Sequence, residues 1–486
     1  MPPQNTDDLN INDSLDNELV DDELVRRLKA ALSLSLGDGG TAALTSLLEH
    51  THPADIAAAM EFLTRSEALA LFNWLDNARA AEVIDELDPQ LVRFLIDSIP
   101  PGRIADLLDR LPMDDAAEVV AEAAPERQEP LIKELEARAA EDAREVRELL
   151  SYKPRTAGRL MVDKFVRLKA TDTVEEAFAS VRSAGRQVET LTDLYVVEPA
   201  DGRPGEERLV GVISLRGLVY AEASAVIGAV MAKDLVTVTV DTDQEEVARL
   251  ISRYDFLALP VLDRDGNLAG IITVDDVIDI LVEENTEDAL KQGGVEPGVL
   301  NTPYFATPIW QVVRSRVTWL VLLFAAETAT GSVLRHFDDE LAKVTALAFF
   351  IPLLIGTGGN TGAQTVSTII RGIALKEIRF RDTGRVLGRE LISGLLLGLI
   401  LGAIAFGRAF MWDRTANGVQ LASVVGITVL IIVIWANTIG SLIPLVAQKL
   451  KIDPALVSAP LITTLVDATG LVFYLLIAKA ILTQLH

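Results

Sequence analysis

The stretch PLITTLVDATG, residues 460–470, places one carboxylate inside an apolar run that extends from Ala455 to Ala478. Asp467 is the thirteenth of these 24 residues, so at about 1.5 Å per residue in a helix it would lie near the middle of a bilayer. An ionised group there costs roughly 2.5 to 3.5 kcal/mol, and such groups usually face a polar partner or a water-filled path. The run therefore predicts a membrane helix that carries a functional acid.

The neighbours of Asp467 indicate what that acid does. Thr463, Pro460 and Ala459 lie four, seven and eight residues earlier on the same helical face, and a proline inside the helix would kink it and free backbone carbonyls. The alternative is a carboxylate that is kept neutral, or that is bonded to another helix for packing. The narrow stripe of polar and small residues favours an ion path over that alternative.

Two further apolar segments carry polar groups at membrane depth. The sequence GTGGNTGAQ, residues 356–364, has four glycines, an asparagine and a glutamine, although Gly358 and Gly362 would also suit close helix packing. One face of a later segment holds Asn437, Ser441, Pro444 and Gln448. The three segments thus offer neutral oxygen atoms toward a single acid, with no histidine or lysine placed to relay protons. Such a lining suits a hard cation that keeps much of its water, above all Mg²⁺.

The composition separates the chain into two unlike halves. Its 486 residues are 50% hydrophobic and 23% charged, with a mean hydropathy of +0.30. From Arg314 onward there are 15 lysines and arginines and 10 aspartates and glutamates, which gives a net charge of +5. Because the whole chain has a net charge of −26, the first 313 residues have a net charge of −31. This acidic soluble body would repel nucleic acid and attract cations.

Several classes of chemistry are disfavoured by the residue types. The absence of cysteine excludes disulfides, thiolate metal sites and cysteine nucleophiles. No other activated nucleophile, Walker motif or pair of catalytic carboxylates can be recognised, so the sequence does not predict an enzyme.

Five apolar segments are long enough to cross a bilayer: residues 317–334, 343–370, 391–411, 421–447 and 455–485. Six arginines and lysines follow the second segment and two lysines follow the fourth, whereas acids follow the first. By the positive-inside rule we expect a multi-pass protein of the cell (inner) membrane, with its N-terminus in the cytoplasm and its C-terminus outside. The first 20 residues lack the features of a signal peptide, which agrees with a cytoplasmic soluble half.

The first part of the soluble half has a short repeat. After an acidic segment, residues 1–22, which we expect to be disordered, leucine or isoleucine recurs every twelve residues at positions 63, 75, 87, 99 and 111. The next residue is an aspartate or a proline in the last four units. This period predicts a stack of short helices over residues 23–150.

Residues 151–290 contain a second, longer repeat. The sequence LVGVISLRGLV (209–219) aligns with LAGIITVDDVI (268–278). Each unit is predicted to contain a short strand, a helix begun by Asp or Thr, and a hairpin that turns at Asp201-Gly202 or Asp265-Gly266. The pair is therefore a tandem α/β module.

A connector rich in Gly and Pro, residues 291–313, precedes the membrane domain, residues 314–486. The predicted fold class is thus a multidomain one, with an all-α helical-repeat domain, an α/β tandem module and an all-α polytopic membrane domain of five transmembrane helices.

The second unit of the tandem module contains a candidate nucleotide site. Gly270, Thr273 and Asp276 have the Gly-x-x-Ser/Thr-x-x-Asp spacing with which such folds hold a ribose, whereas the first unit has Gly217 where its acid would stand. A dense acidic stretch overlaps this motif and consists of Asp275, Asp276, Asp279, Glu283, Glu284, Glu287 and Asp288. A charge run is usually a solvated helix face, and that alternative stays open at this point.

Over nearly its whole length the chain resembles the MgtE-type magnesium channels. LFNWLDNARAAEVIDELDP (71–89) resembles the N domain of that family, residues 151–290 resemble its tandem CBS domains, and YFATPIWQVVRSRVTWL (304–320) resembles the entry to its first membrane helix. GTGGNTGAQ and PLITTLVDATGL are similar to its pore motifs.

The resemblance implies a homodimer in the lipid bilayer with a pore between its subunits. The acid at the position of Asp467 would hold hydrated Mg²⁺ together with backbone oxygens, and Gly356, Gly359, Asn360 and Thr463 would line the site. The N and CBS domains would bind Mg²⁺ between them, with ATP as a further ligand of the CBS pair, and would close the pore through a plug helix. The residues implied as Mg²⁺ sensors are Asp276, Asp279, Glu284, Glu287 and Asp288.

Physical reasoning supports passive uptake. Two symmetry-related Asp467 carboxylates would repel each other unless a divalent cation stood between them. A membrane potential of about 100 mV would contribute about 4.6 kcal/mol to the inward movement of a divalent ion, so ATP hydrolysis is not needed. Two alternatives are a proton- or sodium-coupled divalent exchanger, in which Asp467 would itself titrate, and a membrane-anchored CBS nucleotide sensor.

Overall fold

The computed structural model describes residues 22–35, 41–185, 188–200, 207–297, 307–412 and 416–485. These residues form two compact units, and the chain passes from the first to the second after Glu284. The segment that we expect to be disordered, residues 1–22, lies outside the described residues except for Asp22.

The first part of the first unit is a stack of short helices. They are α1 (Asp22–Ser35), α2 (Thr41–His50), α3 (Pro53–Met60), α4 (Arg65–Trp74), α5 (Asn77–Asp85), α6 (Pro89–Ser98), α7 (Pro101–Leu108), α8 (Met113–Glu122), α9 (Pro125–Glu136) and α10 (Ala140–Ser151). From α3 to α9 each helix begins twelve residues after the previous one. The predicted helical repeat is therefore confirmed.

The twelve-residue step comes from alternating caps and core residues. Asp76 and Asp88 accept hydrogen bonds from backbone N–H groups in the first turns of α5 and α6, which satisfies donors that a helix start leaves unpaired. The leucines that precede these caps, Leu75 and Leu87, are 5% and 6% exposed and belong to the core. Each unit thus ends in a core residue and restarts at a cap.

The tandem module follows with α11 (Ala157–Leu160), β1 (Arg167–Lys169), α12 (Val174–Ala184), β2 (Asp193–Pro199), β3 (Glu207–Ser214), α13 (Leu215–Tyr220), α14 (Ile227–Val230), β4 (Val238–Thr239), α15 (Gln244–Tyr254), β5 (Ala258–Leu262), β6 (Leu268–Thr273) and α16 (Val274–Gln292). Each repeat has one three-stranded sheet, in order β1-β2-β3 or β4-β5-β6, with a parallel pair and then an antiparallel hairpin. The second hairpin turns at Gly266, whose φ is +88°. The other predicted turn, Asp201-Gly202, lies outside the described residues.

The two repeats hold each other through equivalent glycines. Gly211 and Gly270 take the same place in their hairpins, opposite Val196 and Val261, and a register shift follows each. A Cβ on Gly270 would lie 2.8 Å from the carbonyl oxygen of Val162. Because only a glycine allows this approach, the segment before each repeat can pair with the hairpin of the other, Val162 with Ile271 and Ala232 with Val212.

The second unit is a helical bundle formed by α17 (Ile309–His336), α18 (Asp338–Lys343), α19 (Ile351–Ala374), α20 (Thr383–Trp412), α21 (Ala416–Lys449) and α22 (Ala459–Ile481). Five segments are long and apolar enough to cross a membrane: Ile309–His336, Thr345–Ala374, Phe380–Trp412, Gly418–Lys449 and Ala459–Ile481. The predicted number of spans is confirmed, although their bounds differ. The last residues of the predicted connector, 309–313, already belong to α17.

Small residues allow close helix contacts in this bundle. A Cβ on Gly398 would lie 2.8 Å from Cδ1 of Leu430, and a Cβ on Gly362 would lie 2.8 Å from Cγ2 of Ile462. Gly358 is in the same situation against Ile432. The packing interpretation of Gly358 and Gly362 is therefore the correct one for these two positions.

Pro460 does not kink the last membrane helix, so that expectation is wrong. Ser458 caps the start of α22, and Pro460 stands in its first turn, where its missing N–H has no helical partner to lose. The carbonyl of Pro460 accepts hydrogen bonds from the hydroxyls of Thr463 and Thr464 at 2.8 and 3.0 Å. The predicted segment 455–485 is accordingly shortened at its start, where residues 454–456 form a separate 3-10 turn.

Candidate functional site

Asp467 lies on α22 beside a glycine of α19. A Cβ on Gly359 would be 3.3 Å from Cγ2 of Thr463 and 3.4 Å from Oδ1 of Asp467. The structure therefore brings together three of the residues that the sequence indicated. Oδ1 of Asp467 is buried and accepts no hydrogen bond from any part of the chain that the structure describes.

The other two predicted lining residues lie on the same helix but away from this contact. Gly356 and Asn360 are three residues before and one residue after Gly359, and both are exposed. A Cβ on Gly356 would meet no atom within 4 Å. Gly356, Gly359 and Asn360 together form a strip of α19 whose largest side chain is that of Asn360. Asp467 lies at the buried edge of this strip, beside Gly359.

The polar face of α21 has a different role from the one that we expected. Asn437 is 1% exposed and its amide is fully used: Oδ1 accepts from Thr365 Oγ1 at 3.0 Å, and Nδ2 donates to the backbone oxygen and to Oε2 of Glu390 at 3.3 and 3.2 Å. This network joins α19, α20 and α21. The interpretation of Asn437 as an oxygen ligand directed toward Asp467 is wrong, because packing between helices occupies its oxygen.

Asp467 is also not the single acid in the spans. Glu327 lies in the first span and Glu390 in the third. Glu327 is close enough to Asp467 for the two carboxylates to interact electrostatically. The signal in the sequence was the short polar run ETATGS, residues 327–332, inside an otherwise apolar segment.

A second group of acids lies in the first unit, between the helical repeat and the tandem module. Carboxylate oxygens of Asp114, Asp115 and Asp276 lie within 4.8 Å of one another, a spacing that could hold a metal ion. Asp114 and Asp115 are in the first turn of α8 and Asp276 is in the first turn of α16, where the helix dipole favours negative charge. We call these three residues the acidic cluster.

The acids of the cluster resist ionisation. Burial, and then the charge of Asp276, raises the pKa of Asp114 to about 8, and burial with the charge of Asp114 raises the pKa of Asp115 to about 9. Burial also raises the pKa of Asp276 to about 6, against the hydrogen bond that it accepts from Thr273 Oγ1 at 2.7 Å. Oδ1 of Asp114 is buried without a partner within the described ranges. A cation would stabilise such a group.

The predicted sensor residues of α16 separate along the helix. Asp279 is one turn beyond Asp276, and burial raises its pKa. Glu284 accepts a hydrogen bond from Gln244 Nε2 at 2.7 Å. Glu287 pairs with Lys291 at 2.5 Å, and Asp288 lies beside it on α16. Asp276 is therefore the only one of the five in the acidic cluster as defined.

Asp114 and Asp115 were missed by the sequence argument. The signal was present as a pair of acids in LPMDDAAE, residues 111–118, directly after a proline that begins a helix. The sequence did not show that Asp276 would join them, because α16 is more than 150 residues away in the chain.

The candidate nucleotide motif does not line the cavity that the tandem module contains. Thr273 and Asp276 are bonded to each other beside two further acids, where a phosphate would be repelled. A cavity of about 720 Å³ is lined instead by both repeats, with Ser214 and Arg216 from the first and Phe256 from the second. The incomplete motif of the first repeat, with Gly217 in place of the acid, thus adjoins this cavity through Ser214.

Comparisons with known proteins agree with these observations. Residues 351–477 match the MgtE family model, described as a divalent cation transporter, residues 51–155 match the MgtE intracellular N domain, and residues 227–283 match the CBS domain. The magnesium transporter MgtE of Thermus thermophilus is 41% identical over 339 residues, which cover 70% of this chain and 72% of that protein. The magnesium transporter MgtE of Bacillus subtilis is 34% identical over 346 residues, 71% of this chain and 74% of that protein.

A solved structure, the cytosolic domain of the Mg²⁺ channel MgtE in complex with ATP, is similar with a TM-score of 0.47 and 36% identity, and covers 52% of this chain and 99% of that one. The predicted family and fold class are confirmed by the sequence matches, and the matched family is one of transporters and not of enzymes. The chain belongs to the MgtE family of divalent cation transporters.

Proposed function

We propose that the chain is a homodimeric magnesium channel that mediates passive uptake driven by the membrane potential, and that cytosolic Mg²⁺ closes it. The observation that carries this proposal is the contact between Asp467, Thr463 and Gly359 inside two membrane helices. A buried carboxylate oxygen without a partner, next to a bare strip of backbone, suits a cation better than it suits helix packing.

The neighbouring groups suit an ion that keeps its water. Thr463 donates its hydroxyl proton to the Pro460 carbonyl, so its oxygen keeps lone pairs for water. Magnesium dehydrates reluctantly and is usually bound through one or two carboxylates and several waters. Asp467 would therefore hold hydrated Mg²⁺, with Gly356, Gly359 and Asn360 as the lining of α19.

The test is Mg²⁺ flux into proteoliposomes for the unchanged chain, for Asp467→Asn and for Asp339→Asn, an exposed acid between the first two spans. We expect loss of flux for Asp467→Asn alone. Equal flux in all three proteins would refute the path. Uptake that requires a proton or sodium gradient would favour the exchanger, and absence of flux in every variant would favour the nucleotide sensor.

The acidic cluster supports the proposed gating. Without a cation, Asp114, Asp115 and Asp276 repel one another or must take up protons, which opposes close packing of α8 against α16. A bound Mg²⁺ would neutralise them and stabilise the packed arrangement that we assign to the closed state. Asp279, Glu284, Glu287 and Asp288 would add further sensing charge along α16.

Gating is tested by adding Mg²⁺ on the side of the soluble domains while flux is recorded. In the double variant Asp114→Asn, Asp276→Asn, flux should persist at concentrations that close the unchanged channel. Glu134→Gln, at an exposed position of α9, is the matched control and should close normally. Closure of both variants at the same concentration would remove the cluster from the gating mechanism.

A nucleotide such as ATP is a second proposed ligand, and the cavity lined by both repeats favours it. Arg216 offers a cation for phosphate and Phe256 an aromatic face for a base. We expect Arg216→Ala to weaken ATP binding to the full chain and Asp276→Asn to leave it unchanged. The reverse result would return the site to Gly270, Thr273 and Asp276.

A further inference from the structure

The helices α17 and α22 pack side by side in a fixed register. Near one end, Trp319 Nε1 donates a hydrogen bond to Ser458 Oγ at 3.1 Å. Beyond the other end of α17, Lys479 Nζ of α22 donates to Oε1 of Glu340 in α18 at 2.9 Å. Twenty-one residues separate Trp319 from Glu340, and 21 separate Ser458 from Lys479. The two helices therefore run in the same direction, and the bond between Trp319 and Ser458 sets their register at this end.

This register sets Glu327 opposite Asp467. Glu327 comes eight residues after Trp319, and Asp467 comes nine residues after Ser458. At about 1.5 Å of rise per residue, the two positions differ in depth by only about 1.5 Å. The carboxylates are also close enough to interact electrostatically. One chain thus holds two acids at one depth.

Glu327 stands at the edge of the stripe of α17 that turns toward the bundle. It follows the half-buried Leu323 by four residues and precedes Thr330, which is 5% exposed, by three. Glu327 is itself exposed, and the exposed residues one to two turns before it are large and apolar, as a lipid-facing surface requires: Leu320, Val321, Leu322 and Phe324. A carboxylate in this place is not explained by contact with lipid.

Glu327 has no ion pair and no hydrogen bond to its side chain in the part of the chain that the structure describes. An ionised carboxylate in a bilayer costs roughly 2.5 to 3.5 kcal/mol, and a second one at the same depth adds repulsion. A divalent cation between or beside the two acids would oppose both effects. Its water shell could span the gap, since packed helix axes lie about 8 to 10 Å apart.

We propose that Glu327 is a second carboxylate of the cation path, which acts with Asp467 to hold a hydrated divalent cation at mid-membrane depth. The inference rests on the proposed ion path at Asp467. Glu327 would accept hydrogen bonds from the water of the ion, while Asp467 holds the ion from the side of α19. Two negative charges at one depth would favour a divalent ion over Na⁺ or K⁺.

The experiment measures initial Mg²⁺ flux into proteoliposomes against Mg²⁺ concentration, with and without competing Na⁺, for five proteins. These are the unchanged chain, Glu327→Gln, Glu327→Asp, Asp467→Asn and the control Asp339→Asn. We expect Glu327→Gln to raise the half-saturating Mg²⁺ concentration by about fivefold, the effect of one charge on a divalent ion across roughly 8 Å of water, and to increase inhibition by Na⁺.

The charge-conserving Glu327→Asp separates charge from packing and should stay close to the unchanged chain. If Glu327→Gln and Asp339→Asn both match the unchanged chain while Asp467→Asn carries no flux, the proposed path stands and the role of Glu327 is refuted. If Asp467→Asn carries full flux, the path itself is refuted. If Glu327→Asp is impaired as strongly as Glu327→Gln, the shape of the side chain matters and its charge does not, which also refutes the inference.

Discussion

The first unit, which we call the soluble unit, and the second, which holds the membrane spans and which we call the membrane unit, both bury carboxylates. The surroundings of those carboxylates differ. In the soluble unit three acids lie within 4.8 Å of one another at two helix N-termini, which partly compensate their charge. In the membrane unit Asp467 of α22 faces the backbone of Gly359 and the side chain of Thr463, and Glu327 lies on the adjacent helix α17. The comparison shows that charge can be concentrated where helix dipoles assist it, whereas acids at membrane depth are few, so on the proposed path the ion would keep its own water.

The largest expected effect is at the bare strip of α19. Gly359→Val would place methyl groups against Thr463 and Asp467, where even a Cβ is at 3.3 to 3.4 Å. We expect Mg²⁺ flux to fall by more than tenfold, because the added methyl groups occupy the space of the ion's water shell. Flux into proteoliposomes at matched protein incorporation measures this.

The matched control for that substitution is Gly407→Val in α20, where an added Cβ meets no atom within 4 Å. It should keep its flux. A loss of the same size in both variants would mean that the bundle tolerates no added volume. The effect of Gly359→Val would then be no evidence that Gly359 borders the cation path.

The next effect concerns pH and the acidic cluster. The folded protein keeps the protons of Asp114 and Asp115 up to a pKa of about 8 and about 9, whereas the unfolded chain releases them near the ordinary 3.8. The folded state therefore binds more protons between these values, so the free energy of unfolding should fall as pH rises from about 4 to about 8. Thermal unfolding of the full chain without Mg²⁺, recorded across that range, checks the sign.

Saturating Mg²⁺ should weaken this pH dependence, because the ion binds the deprotonated acids and replaces the protons. A slope that is identical with and without Mg²⁺ would show that the ion does not bind at Asp114 and Asp115. The soluble unit would then bury acids for reasons unrelated to cations.

A smaller effect is expected from Asp114→Asn. The amide fills the same space and, unlike Asp114, takes up no proton on folding, so at neutral pH and without Mg²⁺ the free energy of unfolding should rise by about 1 to 2 kcal/mol. The stabilisation by added Mg²⁺ should shrink at the same time. Denaturant unfolding with and without Mg²⁺ measures both, and a destabilised variant without Mg²⁺ would contradict the electrostatic explanation.

The smallest effect should come from an acid outside the spans. Glu340 pairs with Lys479, and the lysine side chain is 54% exposed. Such a pair contributes at most about 1 kcal/mol, so Glu340→Gln should change thermal stability slightly and should leave Mg²⁺ flux unaltered. A large loss of flux would mean that the packing of α18 against α22 affects the cation path, and the small role of this ion pair would be refuted.

Local patterns predicted the elements well. The twelve-residue spacing predicted helices that restart at Asp76 and Asp88, because a cap and a core residue are both encoded within one unit. Hydropathy predicted the five spans because a long apolar run is also a local property of the sequence. The lone acid in an apolar run led to Asp467, helical spacing led to Thr463, and the family resemblance added Gly359; the fold brings the three together.

Contacts between distant segments were beyond the sequence. Pro460 is the exception, because the signal was local: Ser458, two residues earlier, caps the helix and places the proline in its first turn. Asn437 was assigned to the ion although Thr365 and Glu390 hold its amide. Glu327 was overlooked because a single acid hardly changes the hydropathy of a segment, and its importance depends on the helix beside it.

The regular step of the helical repeat restricts how this chain can change in length. Every helix from Pro53 to Pro125 begins twelve residues after the last, so insertion or deletion of a whole unit would keep caps and core leucines in phase. A gain of one or two residues would instead move a cap into a helix and a core residue to the surface. Among descendants of this chain, differences in domain length within residues 53–136 should therefore occur in multiples of twelve.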